Sequence, residues 1–179
     1  MTGLSLERDQ LVEIACIVTE GDLTEVDEGI SLVIRPGDLS CLEGMDDVVV
    51  AMHTASGLLP LIPEGVALAE AQEAVLAYVK QHVPDARTAP LGGSTVYVDR
   101  GFIARDMPDL DSHLHYRLVD VSSIKELARR WYPKSYFAAP AKTGNHRALG
   151  DIRDSIAELR YYRDTIMLDP GTPVADSAS

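Results

Sequence analysis

Cysteine is scarce in this sequence. The 179 residues include two cysteines, Cys16 within an apolar run and Cys41 in a stretch that also contains serine and glycine. Two thiols cannot form the disulfide framework of a small secreted protein, nor can they supply a zinc site built from thiolates. We therefore expect both cysteines to be reduced and structural.

Long apolar runs are absent as well. No stretch approaches the 18 or so uninterrupted apolar residues that a membrane helix needs, and charges already occur at Glu7 and Arg8, so no secretory signal is visible. We expect a cytoplasmic protein with no membrane partner.

Basic side chains are outnumbered by acidic ones. The chain has 16 lysines and arginines against 28 aspartates and glutamates, a formal net charge of −12. A protein of this charge is poorly suited to neutralise many phosphates, which excludes long duplex nucleic acid and leaves short strands as possible substrates. Carboxylates are also the ligands of hard divalent cations, so metal-dependent chemistry is compatible with this charge.

The remaining composition is that of an ordinary globular protein. Apolar residues make up 46% of the chain and charged residues 25%, and the length suits one domain with a substantial core. We expect a single domain over residues 1–168, followed by a flexible tail over residues 169–179.

Three segments have the pattern of β-strands. Residues 11–19 are nearly all apolar and β-branched, which predicts a strand in the interior of a sheet. Residues 30–35 alternate between apolar and other side chains, which predicts a strand nearer the edge. Residues 117–121 predict another buried strand.

Helical patterns alternate with these strands. An apolar stripe predicts a long helix that ends at Pro84, and another predicts a last helix over residues 152–166. Between them, Ser123 and Glu126 have the spacing of a capping box, and Trp131 is expected to pack in the core. Alternating strands and helices without an internal repeat predict a single α/β domain.

One constellation could carry chemistry. Asp99 follows the glycine-containing turn 92–95, and His146 precedes Asp151 by five residues. Five residues along a helix rotate a side chain by about 500°, so His146 should lie on the loop before the helix rather than within it. There it could act as a general base while Asp99 and Asp151 hold a divalent ion. The alternative interpretation is a polar pair at the start of a helix.

Seven motifs are spread from Met1 to the last helix. They are Met1-Thr2-Gly3-Leu4, His53-Thr54-Ala55-Ser56-Gly57-Leu58, Asp99-Arg100, His115-Tyr116-Arg117, Asp120-Val121-Ser122, Lys125-Glu126-Leu127-Ala128-Arg129-Arg130-Trp131 and His146-Arg147-Ala148-Leu149-Gly150-Asp151-Ile152. In combination they resemble the oligoribonuclease family of 3′-to-5′ exoribonucleases, in its actinobacterial form. The resemblance extends to about Met167. It implies a ribonuclease-H-like fold, with a mixed central sheet flanked by helices.

The resemblance also implies a reaction and its machinery. Short single-stranded RNA would be degraded to mononucleotides by a homodimer that uses two Mg²⁺ or Mn²⁺ ions. By motif, Asp99 and Asp151 match the third and fourth acidic metal ligands, His146 matches the general base, and Leu4 matches a leucine that wedges against the 3′ base.

A cap over the 5′ phosphate of the substrate is implied in the same way. His53, Arg117 and Ser122 match capping positions, Thr95 keeps a hydroxyl there, and Tyr116 of the neighbouring subunit would reach into the same site. Each has a simpler alternative: His53 could merely follow a helix, Arg117 and Tyr116 could pair on a surface strand, and Ser122 could cap a helix.

The sequence departs from the family at its beginning. In the family a Trp-x-Asp-x-Glu strand, which carries the first two metal ligands, immediately precedes the Met-Thr-Gly-Leu segment and lies in the middle of the sheet. We expect the true start to lie upstream of Met1, because two carboxylates offset the charge of two divalent ions less well than four.

Three functions are therefore in competition. The leading hypothesis is an exoribonuclease of short RNA. The alternatives are a catalytically inactive homologue that acts as a dimerisation or nucleotide-binding module, and a single-metal phosphohydrolase built from Asp99, Asp151 and His146.

Overall fold

The computed structural model describes residues 1–141 and 147–168, and that part of the chain contains both strands and helices. The strands are β1 (Glu13–Cys16), β2 (Ile30–Arg35), β3 (Val66–Ala67), β4 (Pro90–Gly93) and β5 (His115–Asp120). The α-helices are α1 (Asp47–Ala55), α2 (Leu68–His82), α3 (Val96–Asp106), α4 (Pro108–His113), α5 (Val121–Trp131), α6 (Pro133–Phe137) and α7 (Ala148–Ile166). Two 3₁₀ helices cover Leu39–Leu42 and Leu59–Glu64. None of the helices described is both long and apolar enough to cross a membrane.

The strands form two small sheets of mixed pairing. In the first, β2 pairs antiparallel with β1 and parallel with β3; in the second, β4 pairs parallel with β5. The α/β class is confirmed, but β2 is the centre of its sheet and β1 an edge, the reverse of the predicted positions. The apolar pattern of a strand reports how many of its faces are buried, not how many strands lie beside it.

Helix α7 connects the two sheets. The β1 residue Glu13 accepts a hydrogen bond from the backbone amide of Ala148 at 3.0 Å, at the start of α7. About two turns further along, the hydroxyl of Ser155 lies 2.9 Å from that of Ser94, which follows β4. These two contacts fix the N-terminal part of α7 against an edge strand of each sheet.

The main core forms where α2 packs on β2. The predicted apolar stripe is confirmed, because Ala71, Val75 and Val79 are buried on one face of α2, which ends at His82 before Pro84. The other members of this core are Leu11, Ile14, Ile34, Phe102, Ile103, Met107, Leu110 and Leu114.

Two predictions about the surface are wrong. Strand β5 is largely exposed rather than buried, because it is an edge of a two-stranded sheet. Trp131 is 66% exposed rather than in the core, because α5 buries Val121 and Ala128 and the tryptophan lies at its end. The N-cap of α5 is Asp120 rather than Ser123, which itself donates to the Asp120 carboxylate.

Gly65 is required where β3 joins β2. A methyl group there would lie 2.7 Å from the carbonyl oxygen of Val33 and 2.8 Å from the amide nitrogen of Arg35, both backbone atoms. We expect Gly65→Ala to lower the free energy of unfolding in urea by about 1–3 kcal/mol, the usual cost of overpacking. Gly37→Ala is the control, since nothing lies within 4 Å of its added methyl group. Equal effects of the two substitutions would contradict this packing argument.

Candidate functional site

Asp99 lies in the first turn of α3, where the sequence predicts it. The turn into α3 passes through Thr95, whose backbone is left-handed with φ of 58°. The side chain of Asp99 is half-buried. Burial raises the pKa of Asp99, because the charged carboxylate loses hydration. The site therefore holds a carboxylate that a cation would stabilise.

Three acidic residues, Asp99 among them, act on the amino group of Met1. The amino group of Met1 has Glu13, Asp99 and Asp9 as its charged neighbours, and burial lowers its pKa. The three acidic residues come from β1, α3 and the N-terminal segment. Negative potential is thus concentrated at this end of the protein.

Asp151 lies in the first turn of α7 and is exposed. Its carbonyl oxygen accepts a hydrogen bond from Ser155 at 2.9 Å, and Ser155 contacts Ser94 just before α3. The same turn is held to β1 by Glu13, which binds Arg147 Nε at 2.7 Å. The structure therefore ties the elements that carry Asp99 and Asp151 together.

The predicted general base, His146, lies outside the described residues, as does the predicted tail over residues 169–179. Both remain predictions.

Asp99 and Asp151 are of the ligand type that a hard divalent ion takes. Mg²⁺ commonly binds one or two protein carboxylates and completes its coordination shell with water and phosphate oxygens. Asp99 and Asp151 could supply the carboxylates. Over residues 1–141 and 147–168 no group of three or more His, Cys, Asp or Glu side chains is arranged to hold a metal. A two-ion set needs more carboxylates than these residues bring together.

Thr95 and Ser122, both predicted to bind substrate, are brought together by Asp120. The Oδ1 atom of Asp120 accepts hydrogen bonds from the backbone amides of Thr95 at 2.9 Å and Ser122 at 3.1 Å. The two hydroxyl oxygens lie 3.0 Å apart. They open onto a groove of about 480 Å³ that Tyr97, Leu127 and other residues line. Ser122 does lie in the first turn of α5, but the cap itself is Asp120.

Tyr116 and Arg117 are both exposed on β5. Tyr116 is 69% exposed and stacks on His115 with ring centroids 4.5 Å apart, while the Arg117 guanidinium lies 5.5 Å from the centre of the Tyr116 ring. They pair on a surface strand, as the simpler alternative predicts. In the described part of the chain, no hydrogen bond or ring contact joins them to His53, Thr95 or Ser122.

His53 lies within α1 rather than after it, and it is buried. Its Nε2 lies 2.9 Å from the carbonyl oxygen of Met1, so Nε2 carries the proton and donates it. Burial lowers the pKa of His53, and among residues 1–141 and 147–168 its buried Nδ1 has no hydrogen-bond partner. To donate a hydrogen bond to a phosphate oxygen, Nδ1 would have to gain a proton while Nε2 keeps its own. Burial raises the free-energy cost of the resulting charged ring.

Leu4, the predicted wedge, lies on the N-terminal segment and is 73% exposed. An exposed leucine close to the acidic end of the protein is free to contact a ligand.

Comparison with known proteins decides the family. A family model described as "Exonuclease" matches residues 1–159. An oligoribonuclease of Streptomyces griseus is 57% identical over 178 residues, which are 99% of this chain and 88% of that protein. Those of Rhodococcus jostii and Leifsonia xyli are 55% and 58% identical, covering 100% and 96% of this chain and 90% and 83% of theirs. The chain belongs to the oligoribonuclease family. Exonucleases of this kind generally use divalent metal ions.

Two residues that shape the candidate site of this oligoribonuclease-family chain were missed by sequence reasoning. Asp120 organises Thr95 and Ser122, and the Asp-x-Ser pattern of an N-cap was the signal that could have found it. Glu13 fixes the first turn of α7, but it lies more than 130 residues from its partners in sequence, so no local pattern reveals it.

Proposed function

We propose that this protein is a 3′-to-5′ exoribonuclease that degrades short single-stranded RNA to mononucleotides in the cytoplasm. The observation that supports this proposal most directly is the arrangement of side chains at the start of α3. Thr95, paired with Ser122, and Asp99 lie on one turn, so a pair of hydroxyl groups and a metal-binding carboxylate have a fixed separation.

This arrangement supports a preference for short substrates. Thr95 and Asp99 are four residues apart, about 6 Å along a helix. If the hydroxyl pair caps the 5′ phosphate, the distance from the cap to the scissile phosphate leaves room for very few nucleotides. The net charge of −12 also favours a closed end over a long basic groove.

For the reaction we propose that Asp99 and Asp151 are ligands of Mg²⁺ or Mn²⁺. When bound, such an ion polarises a phosphate oxygen and lowers the pKa of a bound water. His146 would accept the proton of the attacking water as general base, and Leu4 would contact the 3′ base. A second ion, as in the two-ion scheme of the family, would need carboxylates beyond Asp99 and Asp151.

We further propose a homodimer in which each subunit completes the site of the other. Large apolar side chains are exposed on the start of α3, on β5 and on α5, which favours a partner surface. They are Tyr97, Tyr116, Leu118, Leu127 and Trp131. Tyr116 and Arg117 do not contact the hydroxyl pair within one subunit, so a second copy would have to bring Tyr116 there.

The direct test uses 5′-labelled RNAs of two, five and twelve nucleotides, each incubated with Mn²⁺ or Mg²⁺. We expect stepwise loss of 3′ mononucleotides, fastest for the dinucleotide, and no reaction when the metal is chelated. A folded protein that binds dinucleotide but releases no nucleotide would instead support the inactive homologue.

A further inference from the structure

Residues 2–10 form a loop that is closed at its base. The amide of Thr2 donates to the carbonyl oxygen of Gln10 at 2.9 Å, and the amide of Gln10 donates to the Thr2 hydroxyl at 3.0 Å. Thr2 is buried, so this base belongs to the body of the protein. Both ends of the loop are therefore fixed.

The carboxylate of Asp9 fills the inside of the loop. It accepts hydrogen bonds from the Ser5 amide at 2.7 Å and from the Thr2 hydroxyl at 3.1 Å, while the Asp9 amide donates to the Ser5 carbonyl at 2.8 Å. A methyl group on Gly3 would lie 2.5 Å from the carboxylate. Gly3 thus leaves the space that the Asp9 side chain occupies.

Arg105, on the last turn of α3, holds the loop from outside. Its guanidinium donates to the backbone carbonyls of Leu6 and Asp9, the latter at 2.9 Å, and Asp106 holds it with a contact of 2.6 Å. The Leu6 side chain also packs on α3, where a methyl group on Gly101 would lie 3.1 Å from it. The loop is anchored to the same helix that carries Asp99.

These contacts leave Leu4 exposed at the tip of the loop, while backbone atoms of Thr2 before it and of Ser5 and Leu6 after it are hydrogen-bonded. An apolar side chain on a rigid, polar loop can offer its surface to a flat apolar partner without losing much conformational entropy on binding. We propose that Asp9 and Arg105 are positioning residues that preorganise the loop so that Leu4 meets the 3′-terminal base of the substrate. This inference rests on the proposed function, because it takes that base as the ligand of Leu4.

The test measures binding and turnover separately. A dinucleotide with 2-aminopurine at its 3′ end reports contact of Leu4 with the base by its fluorescence, with Ca²⁺ in place of the catalytic metal. Asp9→Ala, Arg105→Met, Leu4→Ala and the double variant Asp9→Ala/Leu4→Ala are compared with the wild type. Glu7→Ala is the matched control, since Glu7 is an exposed acid of the same loop.

We expect Asp9→Ala and Arg105→Met each to raise the dissociation constant and KM about tenfold with kcat nearly unchanged, the order expected for a partly lost leucine contact. Asp9→Asn keeps one acceptor oxygen and should restore much of the affinity, and Glu7→Ala should behave like the wild type. The double variant should bind no worse than Leu4→Ala alone, because both act through one contact.

Three results would overturn the proposal. The first is a dissociation constant of the double variant raised by the product of the Asp9→Ala and Leu4→Ala effects. The second is a fall in kcat at constant KM in Asp9→Ala or Arg105→Met. The third is a 2-aminopurine signal that is unchanged in these two variants. If the wild type binds the dinucleotide without cleaving it, the nuclease function fails while the fluorescence comparison still decides the role of the loop. A wild type that binds no dinucleotide overturns both.

Discussion

Replacing Asp99 by asparagine is expected to slow the release of mononucleotides from a short RNA by about 10³-fold, the scale on which a metal ion stabilises a phosphoryl transition state. The substitution preserves shape but removes the negative charge that would bind the ion. Steady-state cleavage of a labelled dinucleotide over a range of Mn²⁺ concentrations measures the effect. Added metal should rescue Asp99→Asn only partly.

The same substitution should not weaken the fold. Burial raises the pKa of Asp99, so the folded state binds its proton more tightly than the unfolded state does. Ionisation of Asp99 therefore costs stability as the pH rises from the unfolded pKa to the folded one, and this cost is present at pH 7. Without metal, we expect Asp99→Asn to unfold at the same or a higher temperature than the wild type.

Asp109→Asn provides the control for both measurements. Asp109 is an exposed acid in the first turn of α4, so its replacement should leave the cleavage rate within about twofold and stability within ~0.5 kcal/mol. If Asp109→Asn lost as much activity as Asp99→Asn, the loss would be due to the changed net charge of the protein and not to the position of the Asp99 carboxylate. Unfolding of Asp99→Asn at a clearly lower temperature would point to a structural role for Asp99.

The features of the fold that the sequence predicts correctly are those that depend on the local spacing of apolar residues. The stripe of α2 and its end before Pro84 follow from apolar spacing and the missing amide of proline, and both are confirmed. Trp131 and β5 were misplaced because their exposure depends on what packs over them. An amphipathic pattern does not reveal whether its apolar face meets the core of the same chain or another surface.

The candidate site divides in the same way. Asp99 and Ser122 could be placed at helix starts because a glycine-containing turn precedes Asp99 and the capping-box spacing of Ser123 and Glu126 follows Ser122. The contact of His53 with the Met1 carbonyl joins residues 52 positions apart, and no spacing rule predicts it. Glu13 escapes for the same reason. The parts of the site that sequence reasoning missed are those fixed by long-range hydrogen bonds.

The second large effect concerns Tyr116. If Tyr116 of the partner subunit completes each site, then Tyr116→Ala and Asp99→Asn, each much less active than the wild type alone, should restore activity to one another when mixed dimers form. In a mixed dimer the subunit with Tyr116→Ala keeps its own Asp99 and receives an intact tyrosine, so one of its two sites works. Random assortment makes half of the dimers mixed. The rate should therefore reach about a quarter of the wild-type rate at equal total protein.

Separate measurements are needed to interpret that quarter. Tyr116→Ala alone should lose about tenfold or more in kcat/KM, the effect of one lost aromatic contact with a nucleotide. Light scattering should give a dimer for both variants, so that loss of activity is not loss of assembly. A mixture with no more activity than the average of its two components would place Tyr116 in its own subunit or outside the site. Recovery of the cleavage rate to a quarter of the wild-type rate would mean that β5 contributes Tyr116 to the site of the partner subunit. This role would explain why the ring of Tyr116 and the guanidinium of Arg117 lie together on a surface that buries neither within one subunit.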